Sequence, residues 1–419
     1  MARLPAGDAD EMSALIVNLV RQGRAHTRPQ LLELTGLGRT AVTQRVEQAI
    51  LAGLLVDAEY GPSTGGRQPR RLRFRNEAGT VLVAILGTQH VDVALTDLDG
   101  QILRQRVEPL DIQAGPEMVL SKVADAFAVL TASTGLSADP WAISLGIPGP
   151  VDFATGRPSG APIMFGWENF DIRGWFAQRY EAPVWVDNDL NQMVLGQARI
   201  AQDDAKDVIL VKISNGIGAG LMSQGRVHRG RNGAAGDIGH IQVSSDPSIV
   251  CRCGKTGCLE ALAGGWALVR DASQAAREGK SAFLAERLDV NSVLEPADIT
   301  EGARRADTVC LELVARAATL VGESLAGFVS FFNPGVVYVG GILPDAGDVF
   351  LAGVRNAVYQ RSRPLATRDL QLLSTALNKE HSIRGAASVA IDELFDSKKL
   401  PLWLETSKPV AAGELIYAV

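Results

Sequence analysis

One short segment of the chain gathers residue types that bind metal ions. His240 is followed by Cys251, Cys253 and Cys258, which together supply one imidazole and three thiols. Four such ligands suit a tetrahedral zinc ion, and a complete set of four is typical of a structural site that contributes to folding. The alternative is a loop of cysteines without a metal, but this segment is polar, and its glycines allow a short loop to fold around an ion. The spacing therefore predicts structural zinc.

The elements that must position this loop are typical of an α/β domain. From Thr80 onward, branched apolar runs alternate with Gly-rich turns and amphipathic stretches, which indicates strands connected by helices. The residues from 401 to 419 have no clear assignment. The pattern predicts a hairpin in VLVAILGTQHVDVALTDLDGQIL, a buried strand in WAISLGIPGPVD, a strand followed by a helix in APVWVDNDLNQMVLGQARI, a second hairpin in DVILVKISNGIGAGLMSQGRV and a late strand in NPGVVYVGGIL.

The first 75 residues follow a different pattern, that of three short helices. The first has an apolar stripe from Met12 to Val20, the second begins near Pro29, and a tight Leu-Gly turn precedes the third. This order is typical of a helix-turn-helix, in which the N-terminal residues of the last helix contact base edges in the major groove. The third helix is predicted to bury Val42, Val46, Ile50 and Leu51 and to expose Arg39, Thr40, Thr43, Gln44 and Arg45 near its start.

A basic hairpin is predicted to follow the three helices. Two β-prone runs in LLVDAEYGPSTGGRQPRRLRF flank a tip rich in Gly, Pro and Ser, which is typical of a wing. Arg67, Arg70 and Arg71 lie at or just after this tip, where arginines contact phosphates or enter a minor groove. The alternative is a three-helix packing unit with a solvated hairpin. Helices followed by a basic wing favour DNA binding.

Charge is distributed unevenly along the 419 residues. Residues 1–75 contain 11 Arg against seven Asp and Glu, whereas the whole chain has a net charge of −6. A basic head on an acidic body indicates that only the head meets a polyanion, although scattered surface charge gives the same counts. No apolar run reaches the roughly 18 residues of a membrane span, and the N-terminus lacks the pattern of a signal peptide. We therefore expect a cytoplasmic protein of two or three domains.

The residues around the metal ligands resemble a known family. The stretch GIGAGLMSQGRVHRGRNGAAGDIGH, followed by CRCGKTGCLE, closely resembles the ROK family of repressors, open reading frames and kinases, and the resemblance covers nearly the whole chain. The TGGRQP segment is similar to the wing of the family's repressor branch. The resemblance implies an α/β fold in which a winged helix-turn-helix precedes a two-lobed, actin-like (RNase H-like, ASKHA) sugar-kinase-type body that closes on a sugar.

The same resemblance sets the expected domain boundaries and partners. We expect the DNA-binding domain at 1–75, the sugar-kinase-like domain at 76–400 and a C-terminal tail at 401–419. The smaller lobe would cover about 80–190 together with the C-terminal helix, and the larger lobe about 190–385. The implied partners are operator DNA, a small sugar or sugar phosphate and further copies of the chain in a homodimer or homotetramer, with no membrane.

The resemblance also implies a set of sugar contacts. The family's Asn-Asp pair matches Asn188 and Asp189, and in the family's kinases this Asp accepts the proton of the attacked sugar hydroxyl. Its Glu-x-Gly-His motif matches Asp237 to His240, with a carboxylate that is one methylene shorter. One ring nitrogen of His240 would bind zinc and the other a sugar hydroxyl. The implied contacts are Asn169, Asn188, Asp189, Asp237, His240 and Glu260.

One motif departs from the family's kinases. Those kinases begin the body with Asp-x-Gly-Gly-Thr, whereas this chain has Ile85, Leu86, Gly87, Thr88 and Gln89 at the same place. An apolar side chain cannot hold Mg²⁺ or neutralise a phosphoryl group in transfer. The Gly-rich turn at 214–220 is retained, but alone it is a weak signal for a nucleotide. The sequence predicts a sugar-responsive repressor without catalytic residues, and the alternative is an ATP-dependent sugar kinase that carries a DNA-binding domain.

Overall fold

The chain folds as two compact units. Unit 1 comprises Met1–Asp187 and Ile383–Val419, and unit 2 comprises Asn188–Ser382. Within the described part of the chain, no helix combines the length and apolar character that a membrane span requires. The computed structural model describes residues 9–60, 70–132, 139–160, 164–201 and 205–417.

Unit 1 begins with three helices and a two-stranded antiparallel sheet, which we call the head. The predicted order of three helices followed by two strands is confirmed. The tip between the strands, residues 61–69, lies outside the described residues. The elements are α1 (Ala9–Arg21), α2 (Arg28–Thr35), α3 (Arg39–Leu51), β1 (Leu55–Tyr60) and β2 (Arg70–Phe74).

Local signals define the turn between α2 and α3. The hydroxyl of Thr27 accepts a hydrogen bond from the backbone N–H of Gln30 and so caps the start of α2. Gly36 ends α2 with a φ of 70°, a left-handed conformation that glycine adopts without a steric penalty. Residues 36–38 then connect α2 to α3, a length typical of the turn in a helix-turn-helix.

One part of the predicted apolar stripe of α3 was wrong. Val42 and Val46 are buried as expected, but Leu51 is 85% exposed and Ile50 is only half-buried. Ala49 is buried instead. Residues 42, 46 and 49 follow the four-and-three spacing of one helix face, whereas residue 51 lies roughly 140° around the helix from residue 46.

A five-stranded mixed sheet forms the body of unit 1, and its apolar faces make the core with α4. β3 pairs antiparallel with β4 and parallel with β6, and β4 pairs antiparallel with β5. The order across the sheet is β5-β4-β3-β6-β9. The elements are β3 (Thr80–Leu86), β4 (His90–Asp97), β5 (Ile102–Pro109), α4 (Pro116–Ala132), β6 (Ala142–Ile147), β7 (Val151–Asp152), β8 (Arg157–Pro158), α5 (Ile172–Ala177) and β9 (Val184–Asn188).

A second mixed sheet forms unit 2, with the order β12-β11-β10-β13-β14. Counted within each sheet, the strands of the two sheets have the same order: third, second, first, fourth, fifth. The strands are β10 (Val208–Ile213), β11 (Ile217–Ser223), β12 (Arg226–Val227), β13 (Val336–Gly341) and β14 (Gln371–Thr375). The helices are α6 (Asp189–Ala201), α7 (Leu259–Ala263), α8 (Gly265–Arg277), α9 (Ala282–Asn291), α10 (Pro296–Arg304), α11 (Thr308–Phe332), α12 (Asp348–Arg361) and α13 (Pro364–Thr367).

The C-terminal residues that the sequence left unassigned pack within unit 1. Helix α14 (Lys379–Leu394) starts in unit 2 and continues into unit 1, and α15 (Pro401–Leu404) follows it. Trp403 of α15 is fully buried against Trp141. A 3-10 segment then leads to Tyr417, whose hydroxyl accepts a hydrogen bond from the backbone N–H of Val184. These contacts make the last described residues part of the core of unit 1.

Candidate functional site

The four predicted metal ligands converge in unit 2. Their ligand atoms all lie within 4.8 Å of one another. Nδ1 of His240 is 3.6 Å from Sγ of Cys251, and the Sγ atoms of Cys253 and Cys258 are 3.7 Å apart. Such a cluster is able to hold a metal ion.

Backbone pairing also orders this loop. The backbone N–H of Leu259 donates to the carbonyl of Ile241, and that of Val243 donates to the carbonyl of Gly257. Gly257 has a φ of 71°, and a Cβ there would lie 1.8 Å from the carbonyl oxygen of Ser244. The glycine is therefore required by both the turn and the close approach.

The chemistry of the cluster fits a cation. Burial, followed by the neighbouring thiols, raises the pKa of Cys258 to about 12. Burial also raises the pKa of Cys251. A divalent cation at the centre of the cluster stabilises the thiolate forms that these surroundings disfavour. Three thiols with one imidazole are the donor set of a structural zinc site rather than of a calcium or magnesium site.

Glycines on and near β11 let other segments approach this strand closely. A Cβ on Gly218 would lie 2.5 Å from Cδ1 of Leu190, and one on Gly220 would lie 2.2 Å from the carbonyl oxygen of Leu190. A Cβ on Gly239 would lie 2.2 Å from the carbonyl oxygen of Ile217. Two of the predicted sugar contacts, Asp189 and His240, are therefore held beside the same strand.

Glu260 is fixed at the first residues of β11 by both carboxylate oxygens. Its Oε1 accepts a hydrogen bond from Nε1 of Trp266 at 3.1 Å, and its Oε2 accepts one from the backbone N–H of Ile217 at 3.0 Å. A Cβ on Gly216 would lie 2.6 Å from Oε2, so this close approach needs a glycine. The backbone N–H of Glu260 also donates to the carbonyl of Gly239. Each carboxylate oxygen keeps a further lone pair for a ligand.

Asp189 begins α6 and is more than nine-tenths buried. Its Oδ2 lies 3.2 Å from Nζ of Lys212 on β10. The side chain of Asn188 accepts a hydrogen bond from the backbone N–H of Leu190 at 2.9 Å and so occupies the capping position of the helix. The carboxylate of Asp189 is therefore oriented by the ammonium group of Lys212. Its place at the N-terminus of the helix also favours a negative charge.

The remaining predicted sugar contacts are less tightly held. Asp237 is exposed on the loop before His240, and the Nδ1 atom of His240 faces the cysteines, which leaves its Nε2 for another partner. Asn169 lies in unit 1, with a left-handed backbone (φ 57°) and a carbonyl that accepts a hydrogen bond from Arg157. Five of the six predicted contacts thus belong to unit 2.

The turn that the sequence analysis matched to the kinase phosphate loop is preceded by an apolar residue. Ile85 is buried near the end of β3, directly opposite Asp92 of β4. The backbone N–H of Gly87 donates to the carbonyl of His90 and closes the turn. Oδ2 of Asp92 lies 3.3 Å from Nε2 of His90. The carboxylate beside this turn therefore comes from the neighbouring strand and contacts an imidazole.

The predicted DNA contacts on the head are mostly exposed. Arg39, Thr40, Thr43 and Gln44 are exposed at the start of α3, and Arg45 is half-buried. Arg67 lies outside the described residues. Arg70 is exposed on β2, and its Nη1 atom lies 3.7 Å from Oδ2 of Asp57.

Three residues beside predicted functional positions were missed by the sequence analysis, two next to the candidate carboxylates of unit 2 and one next to Ile85 in unit 1. Lys212 faces Asp189, Trp266 donates to Glu260, and Asp92 lies opposite Ile85. Lys212 and Asp92 each stand inside an otherwise apolar strand, and a charged residue in such a run was a signal that could have found them. Trp266 gave no such signal, because a tryptophan in a helix is usually a core residue.

Comparison with known proteins places this arrangement in a family. Residues 83–393 match the ROK family. The chain belongs to the ROK family. This match spans both mixed sheets and the candidate metal loop, and it confirms the resemblance on which the sequence analysis relied.

The similar proteins include both regulators and kinases. The xylose repressor of Caldicellulosiruptor bescii is 25% identical over 91% of this chain and 95% of its own length. A crystal structure of a ROK family transcriptional regulator, a homologue of the E. coli MLC protein, matches 97% of this chain and all of that chain with a TM-score of 0.81 and 23% identity.

A ROK kinase matches a shorter part of the chain. The glucokinase of Streptomyces griseus, in complex with glucose and AMPPNP, has a TM-score of 0.62 and 29% identity over 74% of this chain and 99% of that chain. The regulators, in contrast, match the head as well as the body. The predictions of an α/β ROK fold and of a transcription regulator of this family are confirmed.

Proposed function

We propose that this chain is a repressor that binds operator DNA through a winged helix-turn-helix and releases it in response to a sugar bound in unit 2. The observation that carries the proposal is the presence of both parts in one chain: an N-terminal head with an exposed α3, and a kinase-like body with a carboxylate-lined site. Each part alone has other uses, but together they match a ligand-controlled regulator.

The DNA-binding role rests on the head. Arg39, Thr40, Thr43 and Gln44 offer hydrogen-bonding side chains at the N-terminal end of α3, the end that contacts base edges in a helix-turn-helix. Arg45 and the wing arginines Arg67 and Arg70 would contact phosphates. In a dimer, the two α3 helices would contact half-sites about one DNA turn apart.

The sugar-binding role rests on fixed carboxylates. Glu260 and Asp189 present oriented oxygen acceptors beside β11, and Asn188, Asp237 and the Nε2 atom of His240 supply further polar groups. Sugar hydroxyls are both donors and acceptors, so a mixture of carboxylates, amide and imidazole suits them. Asn169, the sixth predicted contact, belongs to unit 1. The bound glucose of the Streptomyces griseus kinase supports this class of ligand.

The metal in this proposal is structural zinc. His240, Cys251, Cys253 and Cys258 would hold it, and with four protein ligands the ion keeps no open position for chemistry. Its role is to stabilise the loop that ends directly before α7, where Glu260 lies. Zinc thereby supports the sugar site through the fold of the chain.

Helix α14 has residues in both units and contacts the head. It starts in unit 2 and continues into unit 1, where Asp392 pairs with Arg21 of α1 at 3.2 Å. Just after the helix, the carbonyl of Phe395 accepts a hydrogen bond from Asn18, and its ring packs edge-on against Phe74 of β2. If the protein has two conformations that differ in DNA affinity, a sugar that binds one of them more tightly would change DNA binding. A sugar with equal affinity for both would change nothing.

The regulator is favoured over an active kinase by two contacts. Ile85 stands where the kinases carry the carboxylate that holds phosphate and metal, and the carboxylate opposite it, Asp92, contacts His90. In addition, Lys212 pairs with Asp189, the residue that corresponds to the kinase general base, and competes with a sugar hydroxyl for its oxygen. We therefore assign no catalytic residue.

The proposal is tested by selecting DNA with the purified chain. A library of random duplexes is passed over the immobilised, zinc-loaded protein, and bound DNA is eluted separately with D-xylose, D-glucose and N-acetyl-D-glucosamine. We expect one sugar to release an enriched sequence with two-fold symmetry. Release of unenriched DNA only, or no DNA retained at moderate salt, would contradict the proposal. The negative control is a variant in which Arg39 and Gln44 are both changed to Ala. This variant should retain no enriched sequence.

A further inference from the structure

Trp266 connects the metal loop to the candidate sugar carboxylate. It is the second residue of α8, and its indole Nε1 donates to Oε1 of Glu260 at 3.1 Å. The same ring packs against the small cluster formed by Cys251, Cys258 and Ala261. One side chain therefore packs against the cluster that includes two of the predicted zinc ligands and also contacts the carboxylate that is predicted to bind the sugar.

A cation from the metal loop also lies over this ring. The guanidinium carbon of Arg252, the residue between Cys251 and Cys253, is 4.6 Å from the centroid of the Trp266 ring. Arg270 of α8 lies 5.6 Å from the same centroid. A guanidinium within about 6 Å of an indole is attracted to its electron-rich face. Arg252 therefore provides a second contact between the metal loop and the indole.

We propose that Trp266 is a positioning residue that couples the fold of the zinc loop to the orientation of the Glu260 carboxylate, and thereby sets the affinity for the sugar. This inference rests on the proposed function. Physically, the indole N–H fixes one oxygen of Glu260, while the backbone N–H of Ile217 fixes the other. Without the hydrogen bond from the indole, only the hydrogen bond from Ile217 would orient the carboxylate. The carboxylate could then turn, and its remaining lone pairs would no longer point at a ligand.

The first test is a change of Trp266 to Phe, which keeps an aromatic ring at this position and removes the N–H donor. We expect the sugar dissociation constant of Trp266→Phe to rise about tenfold, because a hydrogen bond to a charged group is lost, while the melting temperature and zinc content stay unchanged. The matched control is Trp403→Phe, which removes an indole bond to the carbonyl of Leu394 in unit 1. An equal sugar affinity in the two variants would overturn the inference.

The second test examines the connection to the metal loop. Arg252→Ala should raise the sugar dissociation constant about threefold, and this change should disappear when Trp266 is already Phe, since coupled residues are not additive. Lys255→Ala removes another cation of the same loop and serves as the control, with no expected change. Fully additive effects of Arg252→Ala and Trp266→Phe would show that Arg252 acts by another route.

A third readout needs no sugar and separates failure of the inference from failure of the proposed function. The indole N–H resonance of Trp266 is identified in the NMR spectrum of the full chain as the one lost in Trp266→Phe. Glu260→Gln should shift this resonance, as should removal of zinc, whereas Asp345→Asn on an exposed part of unit 2 should not. If no sugar binds the unaltered chain, the proposed function is wrong. If Glu260→Gln does not change the chemical shift of this resonance, the inference is wrong whatever the result of the sugar-binding experiment.

Discussion

Units 1 and 2 contain sheets with the same strand order, yet the first turn of each sheet has different chemistry. In unit 1 the buried, apolar Ile85 lies near the end of β3, just before the turn to β4. In unit 2 the turn before β11 is close to Glu260, whose carboxylate accepts a hydrogen bond from Ile217. Unit 1 thus has an apolar residue beside its first turn, whereas unit 2 has an oriented carboxylate beside the corresponding turn.

The difference separates two kinds of function between the units. Unit 2 contains the candidate metal ligands and the two fixed carboxylates, and unit 1 contains the head. A change in the polar groups of unit 2 should therefore alter sugar binding and leave the affinity for DNA in the absence of sugar intact. A change on α3 should do the reverse. The following predictions test this separation, beginning with the largest effect.

The largest effect is expected from loss of the metal. Cys258→Ser should lower the melting temperature of unit 2 by about 10 °C and abolish the sugar response, because a structural metal site contributes directly to folding free energy. Differential scanning calorimetry with zinc analysis measures both. Cys310→Ser is the control, since this buried cysteine lies outside the metal cluster. Equal melting temperatures for the unaltered chain and Cys258→Ser would show that the metal does not stabilise unit 2.

Glu260→Gln should weaken sugar binding by about 100-fold with little effect on stability. An amide has one oxygen, so it cannot accept from both the indole of Trp266 and the backbone of Ile217 while also accepting from a ligand. Isothermal titration calorimetry with the sugar found by DNA release measures the change. Glu278→Gln, on the exposed end of unit 2's α8, serves as the control. Unchanged affinity in Glu260→Gln would remove this residue from the sugar site.

Gln44→Ala should weaken binding to the selected DNA by about 5- to 100-fold and relax preference at one base position, since a good contact to a base edge contributes about 1–3 kcal/mol. Sugar affinity should not change. Gln48→Ala provides a matched control, because Gln48 is exposed one turn further along the same helix. A change in Gln48→Ala equal to that in Gln44→Ala would indicate that α3 enters the groove differently.

The smallest effect is expected for Lys212→Met, which removes the ammonium beside Asp189 but keeps most of the side-chain volume. We expect a change in sugar affinity of about threefold, since the pair is partly exposed and such pairs contribute about 1 kcal/mol or less. Affinity for DNA without sugar should remain as in the unaltered chain. If Lys212→Met acquires ATP-dependent sugar phosphorylation, the ion pair and not Ile85 is what suppresses kinase chemistry.

Much of the fold followed from patterns that act over short distances. The hairpins, the buried strand of β6 and the helix that follows β9 were predicted because apolar alternation and Gly-rich turns determine them locally. The error at Leu51 came from the end of a helix, where two apolar residues compete for one buried face. The tail from Pro401 could not be predicted, because its packing depends on Trp141 and Val184, which are distant in sequence.

The candidate site was predicted unevenly for a similar reason. The metal ligands were identified from their spacing, and the geometry brings the four together. Glu260 and Asp189 were named through the family resemblance, but the groups that orient them were not, because Trp266 and Lys212 reach them only through the folded chain. Residue types in a sequence indicate the ligating residues more readily than the residues that orient them.

The central claim is that one sugar controls DNA binding without being phosphorylated. The direct measurement is the affinity of the zinc-loaded full chain for its selected duplex, by fluorescence anisotropy, as the sugar is titrated with and without Mg²⁺ and ATP, with the sugar analysed afterwards. We predict that sugar alone weakens DNA binding at least tenfold, that Mg²⁺ and ATP change nothing, and that the sugar is recovered intact. DNA affinity that ignores the sugar, or recovery of a sugar phosphate, would contradict this account.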